Sequence, residues 1–369
     1  MGPKSGFIPA PARSVENRSR DVDGSSALFS AATCSADQVC EPLRDAWGRV
    51  HTSLRISVTD RCNIRCFYCM PAERIAFKPR HELLTFEEIE RFVRVVVGCG
   101  VTRIRLTGGE PLLRAELAIL VRKLASVAGL TDLAMTTNGM LLPEQADQLR
   151  AAGLRRLNIS LDTLSEERFR LIARRGGLAR VLAGIAAARR AGFDHIRLNA
   201  VAIRGLSEAD LIPLAEFARA GRLELRFIEF MPLDAAGAWS PDQILTGAHV
   251  RAVLEQVWGP LEPAERPDPS QPAAEFAYSD GRGRVGFINP VSEPFCGACN
   301  RLRITAEGQV RNCLFSTTEW DARHVLRSGG TDEQIALLVR ACVQSKKPGH
   351  GIDSPDFIRP QRAMFQMGG

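Results

Sequence analysis

A chain of 369 residues, 45% apolar and 24% charged, is long enough for two domains or one large barrel with an appendage, and its balance is that of a globular enzyme. No apolar run reaches the ~18 residues of a membrane span, and Met1-Gly2-Pro3-Lys4 leads neither into the apolar stretch of a signal peptide nor to a Ser or Thr at position 6 for myristoylation. A net charge of +6 with no Lys/Arg run interleaved with aromatics suits an anionic small molecule and speaks against nucleic acid, and ten cysteines without an export signal are expected as thiols in a reducing, cytoplasmic setting.

Residues 1–45, rich in Ala, Ser, Pro and Arg and without periodicity, are expected to form a disordered extension in which Cys34 and Cys40 are incidental. A strand over 54–58 then runs into a loop carrying Cys62, Cys66 and Cys69, spaced C-x3-C-x2-C. Thr85 with Glu88 makes a capping box ahead of apolar residues at helical spacing, Ile89, Phe92, Val93 and Val96. Further strands are expected around 104–106, 133–135, 157–161, 196–203 and 223–230, with helices over 115–127, from Pro143 to Gly153, over 178–191, and from Ser207 to about 219.

Strands alternating with helices predict an α/β fold, a partial (β/α)6 TIM-like barrel over 46–232, six units being two short of a closed barrel; an open doubly wound sheet is the alternative. In either, reactive groups gather at the C-terminal strand ends. Those ends are polar or Gly-rich: Thr59-Asp60, Thr107 to Pro111, Thr136 to Gly139, Ser160 to Asp162, Asn199, and Glu229 to Pro232.

The remainder, 233–369, is less regular, with a helix expected over 243–257, a connection at 260–272 and a second helix at 332–344. It carries a second triplet, Cys296, Cys299 and Cys313. Between these, 301–305 and 310–314 read as a hairpin turning near Gly308, which brings Cys313 back towards Cys299 and puts Arg301 and Arg303 on one face.

Three thiolates can hold three irons of a [4Fe–4S] cube and leave the fourth open for a small molecule. Close cysteines also make structural zinc sites, but zinc prefers four closed ligands in paired motifs; the x3/x2 triplet lacks that pattern and the nearest downstream imidazole is His81.

Cys62, Cys66 and Cys69 with the Gly108-Gly109-Glu110-Pro111 stretch resemble the radical S-adenosylmethionine enzymes. The second triplet, the Asn300-Arg301-Leu302-Arg303 run, the stretch from Arg105 to Pro111 and the terminal Gly368-Gly369 narrow the resemblance to the GTP 3′,8-cyclases of molybdenum-cofactor biosynthesis, over about 47–369. The resemblance implies two [4Fe–4S] clusters. The first would cleave S-adenosylmethionine to a 5′-deoxyadenosyl radical that abstracts the C3′ hydrogen of GTP; the second would bind and orient the guanine. It implies S-adenosylmethionine contacts at Tyr68, Gly109, Ser160 and Met231, and GTP contacts at Arg55, Arg105, Thr136, Arg301 and Arg303. Arg197 stands where the family commonly has Lys and is carried as a phosphate contact with altered geometry. The Gly-Gly tail is implied to thread towards the active site, an electron donor is required, cyclic pyranopterin monophosphate synthase follows in the pathway, and a homodimer is compatible with the resemblance. Cys99 and Cys342 match no ligand position and are expected as small buried hydrophobes. Two rival readings are a peptide-modifying enzyme of the same superfamily, which would usually carry more C-terminal cysteines, and a zinc-stabilised binding module.

Overall fold

The structure is a computed structural model describing residues 41–266 and 268–368; the extension read at 1–40, with Cys34 and Cys40, and the terminal Gly369 lie outside the described residues. The chain enters through β1 (Ser53–Ser57) and alternates strand and helix: α1 (Phe86–Gly98), β2 (Arg103–Thr107), α2 (Leu117–Ala125), β3 (Asp132–Thr137), α3 (Leu142–Ala151), β4 (Arg156–Ser160), α4 (Glu166–Ala173) and α5 (Leu178–Arg190), β5 (His195–Ala202), α6 (Leu211–Gly221) and β6 (Glu224–Glu229). β1 to β6 pair in sequence order and all in parallel. Parallel strands need such crossovers because their ends lie at opposite edges of the layer.

Two faces divide the labour. Leu54, Ile56, Ile104, Leu106, Leu157, Ile159, Ile196 and Leu198 point outward and are buried beneath the helices. α1 meets them with Ile89, Phe92, Val93 and Val96, and its start is fixed by the anticipated box: Glu88 N–H donates to Thr85 Oγ1 at 3.1 Å and Thr85 N–H to Glu88 Oε2 at 2.7 Å. The alternate positions, among them Arg55, Arg105, Thr136, Asn158 and Asn199, face inward and leave the lumen polar.

The sheet does not close, as an open partial barrel requires, and it continues beyond six strands on both sides. After α7 (Gly247–Trp258), a meander of β7 (Leu261–Pro263), β8 (Ala274–Tyr278) and β9 (Arg284–Ile288) adds β9 in parallel to β6. The hairpin of β10 (Arg301–Ile304) and β11 (Gln309–Arg311), extended by β12 (Trp320–Asp321), adds β10 in parallel to β1. α8 (Ala322–Arg327), α9 (Asp332–Gln344), which packs on α1, and the short α10 (Met364–Met367) complete the chain.

Several details differ from the periodicity reading. α4 was not anticipated; it is capped by Ser165, whose side chain accepts from Arg168 N–H. The stretch after Ser207 opens as a 3-10 turn at Glu208–Asp210 before α6, and α7 starts at Gly247 because Thr246 caps it. The connection at 260–272 holds β7. Cys99 and Cys342 are buried in the main core. No helix among the described residues is long and apolar enough to cross a membrane.

Candidate active site

Both thiol triads open onto one chamber at the mouth and lumen of the open barrel. Cys62, Cys66 and Cys69 lie on the loop after β1, and Cys296, Cys299 and Cys313 flank the β10–β11 hairpin; all six line the same cavity. The hairpin turns at Gly308, whose φ of +89° favours glycine, and Arg303 pairs with Arg311 across it, which returns Cys313 to the chamber.

The first loop is braced by its neighbours. Gly109 N–H donates to Thr59 O and Glu110 N–H to Arg61 O, each at 2.7 Å. A Cβ at Gly109 would lie 2.4 Å from Arg61 O, so only glycine allows this approach. Glu110 turns inward and accepts from Thr137 Oγ1 at 2.6 Å and Asn138 N–H at 2.7 Å. Asn138 Nδ2 reaches Asn63 Oδ1 at 2.7 Å and stands 3.9 Å from Cys62 Sγ. Tyr68 donates to Asp162 Oδ2 at 2.6 Å, and Val201 N–H donates to Asp162 Oδ1 at 2.9 Å, which fixes the phenol at the chamber wall.

Of the residues expected to hold S-adenosylmethionine, Tyr68, Gly109, Ser160 and Met231 all line the chamber. Of those expected for GTP, Arg55, Arg105, Thr136, Arg301 and Arg303 do as well. Arg197 is not on this wall: its Nε donates to Glu224 Oε2 at 2.7 Å. Arg226, bonded to the same carboxylate and to Glu275, is on the wall instead. Asp162 and Asn199, expected among the polar strand ends without a role of their own, also line the chamber, and sequence reasoning passed over Asn158, for which period-2 placement beside Ser160 was the available signal. The tail reaches the lumen as implied for Gly368, whose carbonyl accepts from Arg303. Gly368 has φ +73°, and a Cβ there would meet Thr107 Oγ1 at 2.2 Å.

Among the described residues Arg55, Arg105, Arg301 and Arg303 pair with no carboxylate, whereas Arg226 is held by Glu224 and Glu275. Burial pushes the Cys62 thiol up to about 11, helped by the Glu110 carboxylate, and burial raises Cys66 and Cys69 further, so free thiolates would be costly there. Burial also works to raise Cys299, but the Arg301 and Lys346 charges outweigh it and bring that thiol down to about 6. Arg55 and Arg105 are depressed by burial and then by neighbouring guanidiniums, and Arg303 is brought to about 9 by burial and Arg301. Buried thiols want a cationic metal group, and clustered guanidiniums want an anion.

The residues fit an iron–sulfur group. A cube takes its thiolates on separate irons, so three thiols per triad suffice to hold one. The donors of each triad are all sulfur, as iron–sulfur ligation prefers, and both triads are only partly exposed.

Comparisons with known proteins agree with this chemistry. Residues 56–218 match the Radical SAM superfamily and 223–352 match Molybdenum Cofactor Synthesis C. The GTP 3′,8-cyclase of Rhodopirellula baltica is 54% identical over 330 residues, covering 89% of this chain and 92% of that protein. The chain belongs to the GTP 3′,8-cyclase family. The cyclases of Mycolicibacterium smegmatis and Moorella thermoacetica are each 43% identical over 89% of the chain and cover 92% and 100% of their own lengths. Among solved structures, Streptococcus suis SuiB bound to S-adenosylmethionine shares the fold with a TM-score of 0.57 at 16% identity, over 79% of this chain and 68% of that one. Membership of the radical S-adenosylmethionine superfamily brings S-adenosylmethionine and an iron–sulfur cluster to this cyclase fold.

Proposed function

We infer that this chain converts GTP to (8S)-3′,8-cyclo-7,8-dihydroguanosine 5′-triphosphate, the first step of molybdopterin biosynthesis, with two [4Fe–4S] clusters, one on each triad. The observation that carries the reading is a single chamber lined by two all-thiol triads and by the guanidiniums of Arg55, Arg105, Arg226, Arg301 and Arg303. When bound, the first cluster and S-adenosylmethionine supply a one-electron cleavage whose radical takes the C3′ hydrogen of GTP.

The chain's own part is binding, orientation and exclusion of water. Cys62, Cys66 and Cys69 would hold the first cluster and Cys296, Cys299 and Cys313 the second. Tyr68 within the first triad's loop, Gly109 against it, and Ser160 and Met231 on the same chamber would seat S-adenosylmethionine. The guanidiniums would take the triphosphate, since planar forks pair bidentately with phosphate oxygens. Thr136 lies opposite Asn158 across β3 and β4 and would contact the nucleoside; Arg197 is tied through Glu224 to Arg226 on this wall. The tail packs against the chamber: Met364 lines it, Phe365 and Met367 are buried, and the Gly368 carbonyl accepts from Arg303. A carbon radical held among such groups is kept from water and close to its target.

The test is the product mass from an anaerobic reaction with S-adenosylmethionine, a strong reductant and GTP or ATP. A product isomeric with GTP, formed with GTP only, is expected. Equal 5′-deoxyadenosine formation with both nucleotides, or with neither, rejects the reading. Iron and sulfide analysis of the intact chain and of either triad's Cys→Ala variants checks the number of clusters.

A further inference from the structure

Among the groups not yet given a task, one buried cation faces a thiol. Lys346 follows α9 and is 5% exposed. Its ammonium donates to Cys299 Sγ at 3.5 Å and to the Arg301 carbonyl at 2.9 Å. Among the described residues these are the side chain's hydrogen-bond partners, and neither is a carboxylate. Asp45, the acid on the segment packed against it, is committed to Arg49 at 2.6 Å and His51 at 3.0 Å.

The backbone carrying Lys346 is pinned from the same segment. Trp47 Nε1 donates to the Lys346 carbonyl at 3.0 Å, and Arg49 donates to the carbonyls of Lys347 and Cys296, each at 2.7 Å. One guanidinium therefore ties the Lys346 segment and the Cys296 turn together. A buried ammonium is costly unless an anion answers it. Here the group within reach is the Cys299 sulfur, which is an anion when it ligates a metal group.

We propose that Lys346 is a positioning residue for the second thiol triad, holding Cys299 as a ligating thiolate and raising the reduction potential of the group bound there. This rests on the reading that Cys296, Cys299 and Cys313 hold an iron–sulfur cluster. Hydrogen bonds and positive charge at a ligating sulfur favour the reduced, more negative state. The link to the Arg301 carbonyl also fixes the triad's place against β10, the strand that carries the guanidiniums.

The test uses the full chain with Cys62, Cys66 and Cys69 replaced by Ala, so that only the second triad can hold a cluster. Lys346→Met and Lys346→Arg are compared with this parent by iron and sulfide content and by an EPR-monitored redox titration. The Met variant is expected to lower the midpoint potential by about 59 mV or more, a tenfold shift in a one-electron equilibrium, while the Arg variant stays near the parent. Loss of the cluster in the Met variant with retention in the Arg variant also supports the role, because charge is then what secures Cys299. An unchanged potential in the Met variant, or loss of iron in both variants, overturns this inference alone. A parent without iron and sulfide overturns the two-cluster reading, and this inference falls with it.

Discussion

Arg303, Arg55 and Arg105 stand in one row because β10, β1 and β2 are in register at those positions: Arg55 lies opposite Arg303 on one side and Arg105 on the other. Like charges side by side are unfavourable without an anion, so the row has its use in the liganded state. Replacing Arg303 by Ala removes a charge-assisted contact worth about 1.5–3 kcal/mol, so GTP affinity by calorimetry is expected to fall tenfold or more. Arg303→Lys should recover only part, since an ammonium lacks the planar fork. GTP affinity equal to that of the parent in Arg303→Ala would remove the row from the binding site. A second prediction concerns pH. Burial, and then the Lys346 charge, depress His51 from 6.5 to about 4, against the opposing hydrogen bond to Asp45. The unfolded chain therefore takes the proton first as the medium acidifies. Stability present above pH ~6.5 is lost as pH falls towards ~4, by on the order of 3 kcal/mol. His51→Gln keeps a donor for Asp45 without the titration, so its urea midpoint should fall less between pH 7.5 and 5 than the parent's. Parallel pH profiles for the two proteins would show that His51 does not carry this dependence.

The loop after β2 and the cysteine loop behave as one element, zipped by two backbone hydrogen bonds and an approach only Gly109 permits. Gly109→Ala should force the loops apart. Lower iron retention after anaerobic reconstitution and at least tenfold weaker S-adenosylmethionine binding are expected, with the melting temperature moving by a few degrees. Iron content and affinity equal to those of the parent would show that the loops adjust independently. The cysteine loop, the Thr85–Glu88 box and the hairpin at Gly308 were legible in the sequence because each rests on local spacing. Helix α4 was not, although Ser165 followed by Glu166 and Glu167 is a start signal; only eight residues follow it, too few for a period to stand out. The edge pairings of β9 and β10 were not legible either, since alternation tells which face a side chain takes and not which strand lies beside it. The exchange of Arg197 for Arg226 at the chamber wall has the same origin: both face inward from adjacent strands, and the cross-strand carboxylate of Glu224 decides where each guanidinium goes.

At the scale of the whole molecule, the sheet runs without a break through the boundary expected near residue 232. β10 covers the edge of β1 and β9 covers the edge of β6, so the C-terminal part clasps the six-stranded unit from both sides. The seams are apolar and hydrogen-bonded: Leu302, Ile304, Val285 and Phe287 are buried along them, and Leu84 N–H donates to Ala306 O at 2.8 Å. α9 adds Ile335 and Val339 to the core it shares with α1. A fragment ending at 232 would expose two parallel strand edges and the apolar surface now beneath these elements, which favours aggregation over folding. Residues 41–232 made alone are expected to give no cooperative thermal transition and no fixed near-ultraviolet circular dichroism, while the full chain keeps both. A fragment that melts cooperatively within a few degrees of the full chain would show instead that the barrel is an independent domain. In that case the second triad would be an attachment to the chamber rather than part of its wall, and the arginine row would lose Arg303 whenever the attachment moved.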